Sequence, residues 1–205
     1  MTKPGKIVCI GRNYPAHVRE MGNDLPREPV VFFKPVSSLI GPGETIVLPP
    51  ESTLVEHEAE IAIVIGTRLR RATRDQAERG IRGFTCANDV TARDLQKKEA
   101  QWARAKGWDT FCPVLPGVVE GLDWRNLEVV GRVNGKERQR GKSSDMIFPI
   151  PDLLVYISAA ITLDPGDLVL TGSPAGTGPL IAGDVVEVEI AGVGVLSNPV
   201  RAEAA

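Results

Sequence analysis

The sequence has 205 residues, of which 42% are hydrophobic and 24% are charged, a balance typical of a globular protein that buries a sizeable core. The formal net charge of −2 excludes a general electrostatic attraction to nucleic acid or to an anionic membrane surface. No apolar run approaches the ~20 residues that a membrane-spanning helix needs, so we expect neither a nucleic-acid nor a membrane partner.

The three cysteines, Cys9, Cys86 and Cys112, form no Cys-x-x-Cys pair, and each lies among apolar residues. An odd count without such pairs argues against a disulfide framework or a zinc cage. We interpret these residues as small buried hydrophobic side chains in a reducing compartment. Because no signal peptide is recognisable before the strand-like residues 7–10, we expect a cytoplasmic protein.

Short β-like runs follow one another along the chain and are separated by turns that draw on 21 Gly and 16 Pro. The predicted strands are residues 7–10, 30–33, 45–48, 61–65, 127–133, 168–171 and 185–190, and the predicted helices are 15–21, 73–80, 91–105 and 151–161. Asn134 and Gly135, between 127–133 and 136–140, are typical of a two-residue hairpin turn, in which both residues need positive φ. The pattern predicts a mostly β (α+β) fold, with residues 1–205 as a single domain.

Three glutamates alternate along one predicted strand. Glu56, Glu58 and Glu60 share a face because successive side chains of a strand point to opposite sides. Residues 61–65 are apolar on both faces, so the strand enters a core that is covered on both sides. Carboxylates at its margin need a basic side chain, a proton or a hard divalent cation as partner. The alternative is a strand at the solvent edge, with the glutamates facing water.

A third acidic candidate, Asp89, follows a predicted buried strand and is either a carboxylate ligand or a helix N-cap. Arg93 and Gln96 come next, about one helical turn apart. They either reach an anionic ligand or form a solvated helix face.

The two histidines have different settings. His17 and Glu20 are three residues apart in a predicted helix, so Glu20 can orient the imidazole as a general base, although an ordinary surface pair has the same spacing. His57 lies on the strand face opposite the glutamates, and we interpret it as structural.

Residues 168–178 form a strand that leads into a Gly-rich loop. The loop lacks the Gly-Lys-Ser/Thr of a phosphate-binding P-loop and the Gly-x-Gly-x-x-Gly order of a dinucleotide site. Because glycine has no side chain, the backbone of this loop can approach a small anion closely. The alternative is an ordinary turn without a ligand.

Seven motifs occur in a fixed order between Ile7 and about Val195. They are Gly11-Arg-Asn-Tyr14 with His17 and Glu20, Phe33-Lys-Pro35, Glu58-Ala-Glu60, Asn88-Asp-Val-Thr-Ala-Arg-Asp94, Lys106-Gly-Trp-Asp109, Ser144-Asp-Met-Ile-Phe-Pro149 and Thr171-Gly-Ser-Pro-Ala-Gly176. In this order they resemble the fumarylacetoacetate hydrolase superfamily, in its compact acylpyruvase and oxaloacetate-decarboxylase branch. The sequence departs from the family pattern at Ser173, where Thr is frequent, and at Leu115-Pro116, where Gly-Pro is frequent.

The resemblance implies a mixed β-sandwich roll with a few short helices, a homodimer, and a mobile N-terminal lid around residues 12–26. The metal ligands that it implies, for Mg²⁺ or Mn²⁺ with Ca²⁺ as a substitute ion, are Glu58, Glu60 and Asp89. The catalytic residues that it implies are His17, Glu20 and Lys106. The residues that it implies for contact with a 2-oxo acid substrate are Arg12, Arg93, Gln96, Thr171 and Gly172.

The expected function is metal-dependent hydrolysis of the C–C bond of acylpyruvate-type 2,4-dioxo acids, such as fumarylpyruvate, to pyruvate and a carboxylic acid. The alternatives are an oxaloacetate decarboxylase and an isomerase or hydratase of 2-hydroxy-diene-dioates. Outside the enzymes, a metal-dependent protein that only binds a 2-oxo acid is the remaining alternative.

Overall fold

The computed structural model describes residues 3–204. Its strands are β1 (Ile7–Gly11), β2 (Val30–Lys34), β3 (Leu39–Ile40), β4 (Ile46–Leu48), β5 (Val55–His57), β6 (Ala59–Ile65), β7 (Ile81–Asn88), β8 (Thr91–Ala92), β9 (Cys112–Pro113), β10 (Glu128–Val133), β11 (Lys136–Lys142), β12 (Leu168–Leu170), β13 (Gly178–Pro179), β14 (Val185–Ile190) and β15 (Gly194–Ala202). Its α-helices are α1 (Pro15–Glu20), α2 (Arg74–Arg79), α3 (Arg93–Lys98), α4 (Ala103–Lys106) and α5 (Ile150–Ala160). The mostly β prediction is confirmed.

Two five-stranded sheets form the body of the protein. The first sheet has the order β2-β1-β12-β6-β7, and within it only β1 and β12 are parallel neighbours. The second sheet has the order β11-β10-β14-β15-β4, and only β15 and β4 are parallel there. Smaller sheets, β13-β5-β8 and β3-β9, flank them. Both large sheets are therefore mixed, as the resemblance implied.

Side chains of β6 alternate between two separate cores. Ile61, Ile63 and Ile65 pack in the main hydrophobic cluster, which includes residues of the second sheet such as Val188. Ala62 and Val64 belong instead to a cluster on the opposite face of the first sheet. Glu60 therefore lies on the face of β6 that continues into Ala62 and Val64, as the alternation predicted. The single strand predicted for all three glutamates is wrong, because Glu56 lies on β5 in a different sheet and Glu58 lies between β5 and β6.

The turns and short helices follow local chemistry. Asn134 and Gly135 both have positive φ, 52° and 72°, and they connect β10 to β11 as predicted. Thr73 caps α2, where its hydroxyl accepts from the Gln76 amide and its own amide donates to Gln76 Oε1. Within residues 3–204, no helix has the length and apolar character that crossing a membrane requires.

The predicted helix at residues 91–105 is wrong, because the segment divides into β8, α3 and α4. Thr91 and Ala92 are buried and pair with β5, so strand pairing overrides the helical propensity of the segment. The helical part begins only at Arg93 and is interrupted after Lys98.

Candidate functional site

The candidate site lies at one edge of the first sheet. Strands β1, β7 and β12 point the same way and end at this edge, and the antiparallel β6 begins there. A cavity of about 300 Å³ opens beside that edge. Its polar wall includes Arg12, His17, Glu58, Glu60, Asp89, Arg93, Gln96, Lys97, Lys106 and Ser173, and its apolar wall includes Ile10, Val18, Met21, Phe32 and Trp102.

Three carboxylates converge at the bottom of this pocket. Asp89 follows the last residue of β7, and its amide donates to the Glu58 carbonyl at 2.9 Å, which fixes the two residues side by side. Glu58 lies just before β6, and Glu60 is the second residue of β6. One oxygen from each of the three carboxylates lies within 4.8 Å of the other two, and all three residues are at least 95% buried. The predicted convergence of Glu58, Glu60 and Asp89 is therefore present.

Basic side chains compensate part of this negative charge. Lys106 Nζ donates to Glu58 Oε2 at 2.8 Å and to Asp89 Oδ2 at 2.6 Å. Lys34 Nζ donates to Asp89 Oδ1 at 2.6 Å, and Arg93 Nη2 donates to Glu58 Oε1 at 2.5 Å. Each of these bonds joins an ionised donor to an ionised acceptor in a water-poor setting, where such bonds are strong.

The carboxyl groups respond differently to these neighbours. Burial opposes ionisation of Glu58, but the charges of Lys106 and Arg93 outweigh it and hold the pKa of Glu58 well below its usual range. Burial raises the pKa of Glu60, and the negative charges of Asp89 and Glu58 raise it further. Glu60 therefore carries the least compensated charge of the three, although the Gly172 amide donates to its Oε2 at 2.7 Å.

The donor set fits a hard divalent cation. The triad and the ionisable groups that bond its members or their partners comprise four carboxylates and three basic groups, which are Glu56, Glu58, Glu60, Asp89, Lys34, Arg93 and Lys106. Fully ionised, they leave one negative charge, and three buried carboxylate oxygens are the ligand type that Mg²⁺ or Mn²⁺ prefers.

The histidine and its predicted partner are in contact. His17 Nδ1 lies 3.1 Å from Glu20 Oε2, so in the neutral ring Nδ1–H donates to the carboxylate and Nε2 keeps the lone pair. Glu20 also accepts from the Gly176 amide at 3.0 and 3.1 Å, which ties α1 to the Gly-rich loop. Glu20 is thereby held by both His17 and Gly176, and His17 is one of the residues that line the pocket. Mobility of a lid at residues 12–26 stays a prediction.

The predicted substrate contacts fall into two groups. Arg12, Arg93 and Gln96 line the pocket. Thr171 and Gly172 are not placed on the pocket wall: the Thr171 hydroxyl donates to the Ile61 carbonyl at 2.9 Å, and the Gly172 amide is occupied by Glu60. Their contact with substrate stays a prediction, and their contacts here support the carboxylate edge.

Some participants had no role assigned from the sequence. Lys34, the last residue of β2, donates to Asp89. In the sequence, the feature that could have identified it is a lysine directly after an apolar run. Ser173 lines the pocket and accepts from Gln139 Nε2 at 2.6 Å. His57 is structural, as interpreted: it is buried, and its Nδ1 lies 2.8 Å from Gln139 Oε1.

Comparison with known proteins gives consistent results. Residues 6–201 match the family model described as "Fumarylacetoacetate (FAA) hydrolase C-terminal". The bovine mitochondrial oxaloacetate tautomerase FAHD2A is 41% identical over 212 residues, which cover 98% of this chain and 68% of that protein.

Solved structures of relatives are similar to this chain in both fold and sequence, and two of them bear on its function. The 5-carboxymethyl-2-hydroxymuconate delta-isomerase of Mycobacterium smegmatis has a TM-score of 0.92 at 44% identity, covering 99% of this chain and 81% of that one. The fumarylpyruvate hydrolase of Pseudomonas aeruginosa, in complex with Mn²⁺ and pyruvate, has a TM-score of 0.91 at 30% identity, covering 98% of this chain and 91% of that one.

Proposed function

Because this chain belongs to the fumarylacetoacetate hydrolase family, we propose that it is a metal-dependent hydrolase that cleaves the C–C bond of acylpyruvate-type 2,4-dioxo acids. The products are pyruvate and a carboxylic acid. The observation that carries the proposal is the convergence of Glu58, Glu60 and Asp89 in a pocket that His17 also lines. A dication site and a general base beside one cavity are the parts that this hydrolysis needs.

Glu58, Glu60 and Asp89 would hold Mg²⁺ or Mn²⁺, with Ca²⁺ as a substitute ion. The Mn²⁺ and pyruvate bound by the similar fumarylpyruvate hydrolase support this choice. The bound cation would act as a Lewis acid on the carboxylate and 2-oxo oxygens of the substrate and would favour negative charge on that side of the scissile bond.

His17 acts on water. Its Nε2 takes a proton from a water molecule as the oxygen attacks the distal carbonyl of the substrate. Glu20, bonded to Nδ1 and to the Gly176 amide, keeps the ring in one orientation and stabilises the imidazolium that forms. The C–C bond then breaks, its electron pair passes to the pyruvate fragment as an enolate, and His17 is positioned to return the proton.

Lys106 supplies a positive charge beside the pocket. Its ammonium is buried beside Glu58 and Asp89, and although burial alone would lower its pKa, the charges of Asp89 and Glu58 raise it, so Lys106 stays protonated. A fixed ammonium beside the pocket stabilises the enolate charge as it develops.

A second candidate is tautomerisation or decarboxylation of oxaloacetate, and the name of the bovine relative favours it. Tautomerisation moves a proton between carbon and oxygen and uses no attacking water. Decarboxylation needs the same grip on the 2-oxo acid and likewise no water. The isomerase similar in fold makes isomerisation of a 2-hydroxy-diene-dioate a further reaction to assay.

A substrate panel tests these alternatives. Fumarylpyruvate, acetylpyruvate and oxaloacetate are each assayed with Mg²⁺, with Mn²⁺ and with chelator, and a His17→Ala variant is run alongside. The hydrolase proposal expects pyruvate release from the acylpyruvates that requires metal and His17. Turnover of oxaloacetate alone, with His17→Ala as active as the native protein, would refute hydrolysis and support tautomerisation or decarboxylation.

A further inference from the structure

Glu56 is a carboxylate beside the pocket to which the proposed reaction gives no task. It lies on β5, two residues before Glu58, and its side chain is 14% exposed. It lies outside the group of three carboxylates that converge. Its Oε2 accepts from Arg93 Nε at 2.7 Å.

Arg93 is anchored through all three guanidinium nitrogens. Nε bonds Glu56, Nη1 bonds Gln96 Oε1 at 2.5 Å, and Nη2 bonds Glu58 Oε1 at 2.5 Å. The side chain is 3% exposed and lines the pocket, and the Arg93 amide donates to the Leu54 carbonyl at 2.7 Å. The guanidinium is therefore fixed in a plane by three different residues.

These three anchors are not equivalent. Glu58 is shared by Arg93 and Lys106, and it is also a member of the triad. With a dication held by the triad, Glu58 would share its charge with that ion and would hold Nη2 more weakly. Glu56 and Gln96 lie outside the triad, so their bonds would keep the guanidinium aligned and leave Nη2 available as a donor towards the pocket.

We propose that Glu56 is a positioning residue that holds Arg93 on the pocket after Glu58 has turned to the cation, so that Nη2 binds the carboxylate of the 2-oxo acid. The inference rests on the proposed function of this pocket. It predicts an order of events, in which the cation binds first and makes the anion-binding donor available. It also predicts that Glu56 affects the affinity for the 2-oxo acid more than the affinity for the metal.

The test compares Glu56→Gln with the native protein and with Glu189→Gln. The glutamine has the same shape and removes only the charge, so the fold is kept. Glu189 accepts from Arg132 Nη1 at 2.5 Å in the second sheet, so its variant removes a carboxylate from another arginine, away from the pocket. Calorimetry then measures the binding of Mn²⁺ to the metal-free proteins and of pyruvate to the Mn²⁺-loaded proteins.

For Glu56→Gln we expect pyruvate affinity to fall about tenfold, because the glutamine oxygen can accept only a neutral hydrogen bond from Arg93 Nε in place of a charge-assisted one. Mn²⁺ affinity should change by less than about tenfold. A tenfold loss is the scale expected when a residue that bonds a metal ligand directly is removed, and Glu56 does not bond a triad member. Glu189→Gln should leave both affinities unchanged. Equal losses of Mn²⁺ and pyruvate affinity in Glu56→Gln, or no loss of pyruvate affinity, would overturn the inference.

A second measurement uses Mg²⁺ alone and does not depend on any activity. The Nε–H resonance of Arg93, assigned by its disappearance in Arg93→Lys, should persist in the native protein and shift when Mg²⁺ binds. In Glu56→Gln, where only a neutral amide oxygen accepts from Nε, it should exchange faster with water once Mg²⁺ is added. An Arg93 resonance that is the same in both proteins with Mg²⁺ would show that Glu56 does not hold the guanidinium. Failure of the hydrolase proposal would appear separately, as an inactive native protein in the substrate panel.

Discussion

Replacing Glu60 by glutamine should stabilise the metal-free protein and weaken its response to a divalent cation. The Glu60 oxygen lies within 4.8 Å of oxygens of Glu58 and Asp89. At an effective dielectric constant of about 20, two unit charges at that distance repel by about 3 kcal/mol. Lys106 offsets much of the repulsion from the two neighbours, so we expect a net gain of about 1–3 kcal/mol. The amide oxygen of glutamine can still accept from Gly172.

The gain should depend on pH. Because the folded-state pKa of Glu60 is raised, ionisation of this group costs folding free energy. Below the ordinary carboxyl pKa, Glu60 is protonated in both states and costs nothing. The advantage of glutamine should therefore grow as the pH rises through and above the ordinary carboxyl range.

Thermal unfolding in chelator and in Mn²⁺ measures both effects. For a chain of this size, about 1–3 kcal/mol corresponds to a rise in Tm of roughly 2–12 °C in chelator. Mn²⁺ at about 100 times its Kd should add about 2.7 kcal/mol to the native protein and clearly less to Glu60→Gln. The order of the two Tm values should thus reverse or converge in Mn²⁺. A Glu60→Gln protein that is less stable than the native protein in chelator would refute the reasoning.

Three further predictions concern other groups. His17→Ala should lower acylpyruvate hydrolysis by about 10²–10⁴-fold while calorimetry finds Mn²⁺ affinity unchanged, and an unaltered rate would remove His17 from the reaction. Burial raises the pKa of Cys86 and of Cys112 to about 12 and that of Cys9 well above its usual value, so none should react with a thiol reagent at pH 8 until denaturant is added; rapid labelling of the folded protein would contradict this. Lys34→Met should cost about 3–5 kcal/mol in denaturant unfolding because it removes a buried partner of Asp89, and a loss below 1 kcal/mol would contradict that pairing.

Local periodicity was enough to predict only part of the carboxylate face. The apolar run after Glu60 predicted a strand covered on both faces with carboxylates at its margin, and the two clusters around β6 confirm this. The break between β5 and β6, which puts Glu56 in another sheet, had no signal in the alternation. Asp89 was identified by its position at the end of a predicted strand. Its approach to Glu58 depends on the antiparallel register of β6 and β7, which no local pattern specifies.

The contacts that the sequence did not reveal are long-range. Lys34 and Asp89 are 55 positions apart, and their pairing depends on how several strands stack. Residues 91–105 have helical propensity, but the pairing of Thr91 and Ala92 with β5 overrides it. Thr171 lies in a Gly-rich loop of the kind that can bind a small anion. Its hydroxyl instead donates to the Ile61 carbonyl, because β12 and β6 lie side by side.

The central claim is that Glu58, Glu60 and Asp89 hold a divalent cation and that this cation also binds the 2-oxo acid. Crystals grown with Mn²⁺ and pyruvate, measured at the manganese absorption edge, address this directly. The claim predicts one anomalous peak at about 2.1 Å from an oxygen of each carboxylate, with the pyruvate carboxylate and 2-oxo oxygens also bound to the ion and water in the remaining position. A peak elsewhere, or pyruvate bound away from the three carboxylates, would contradict it.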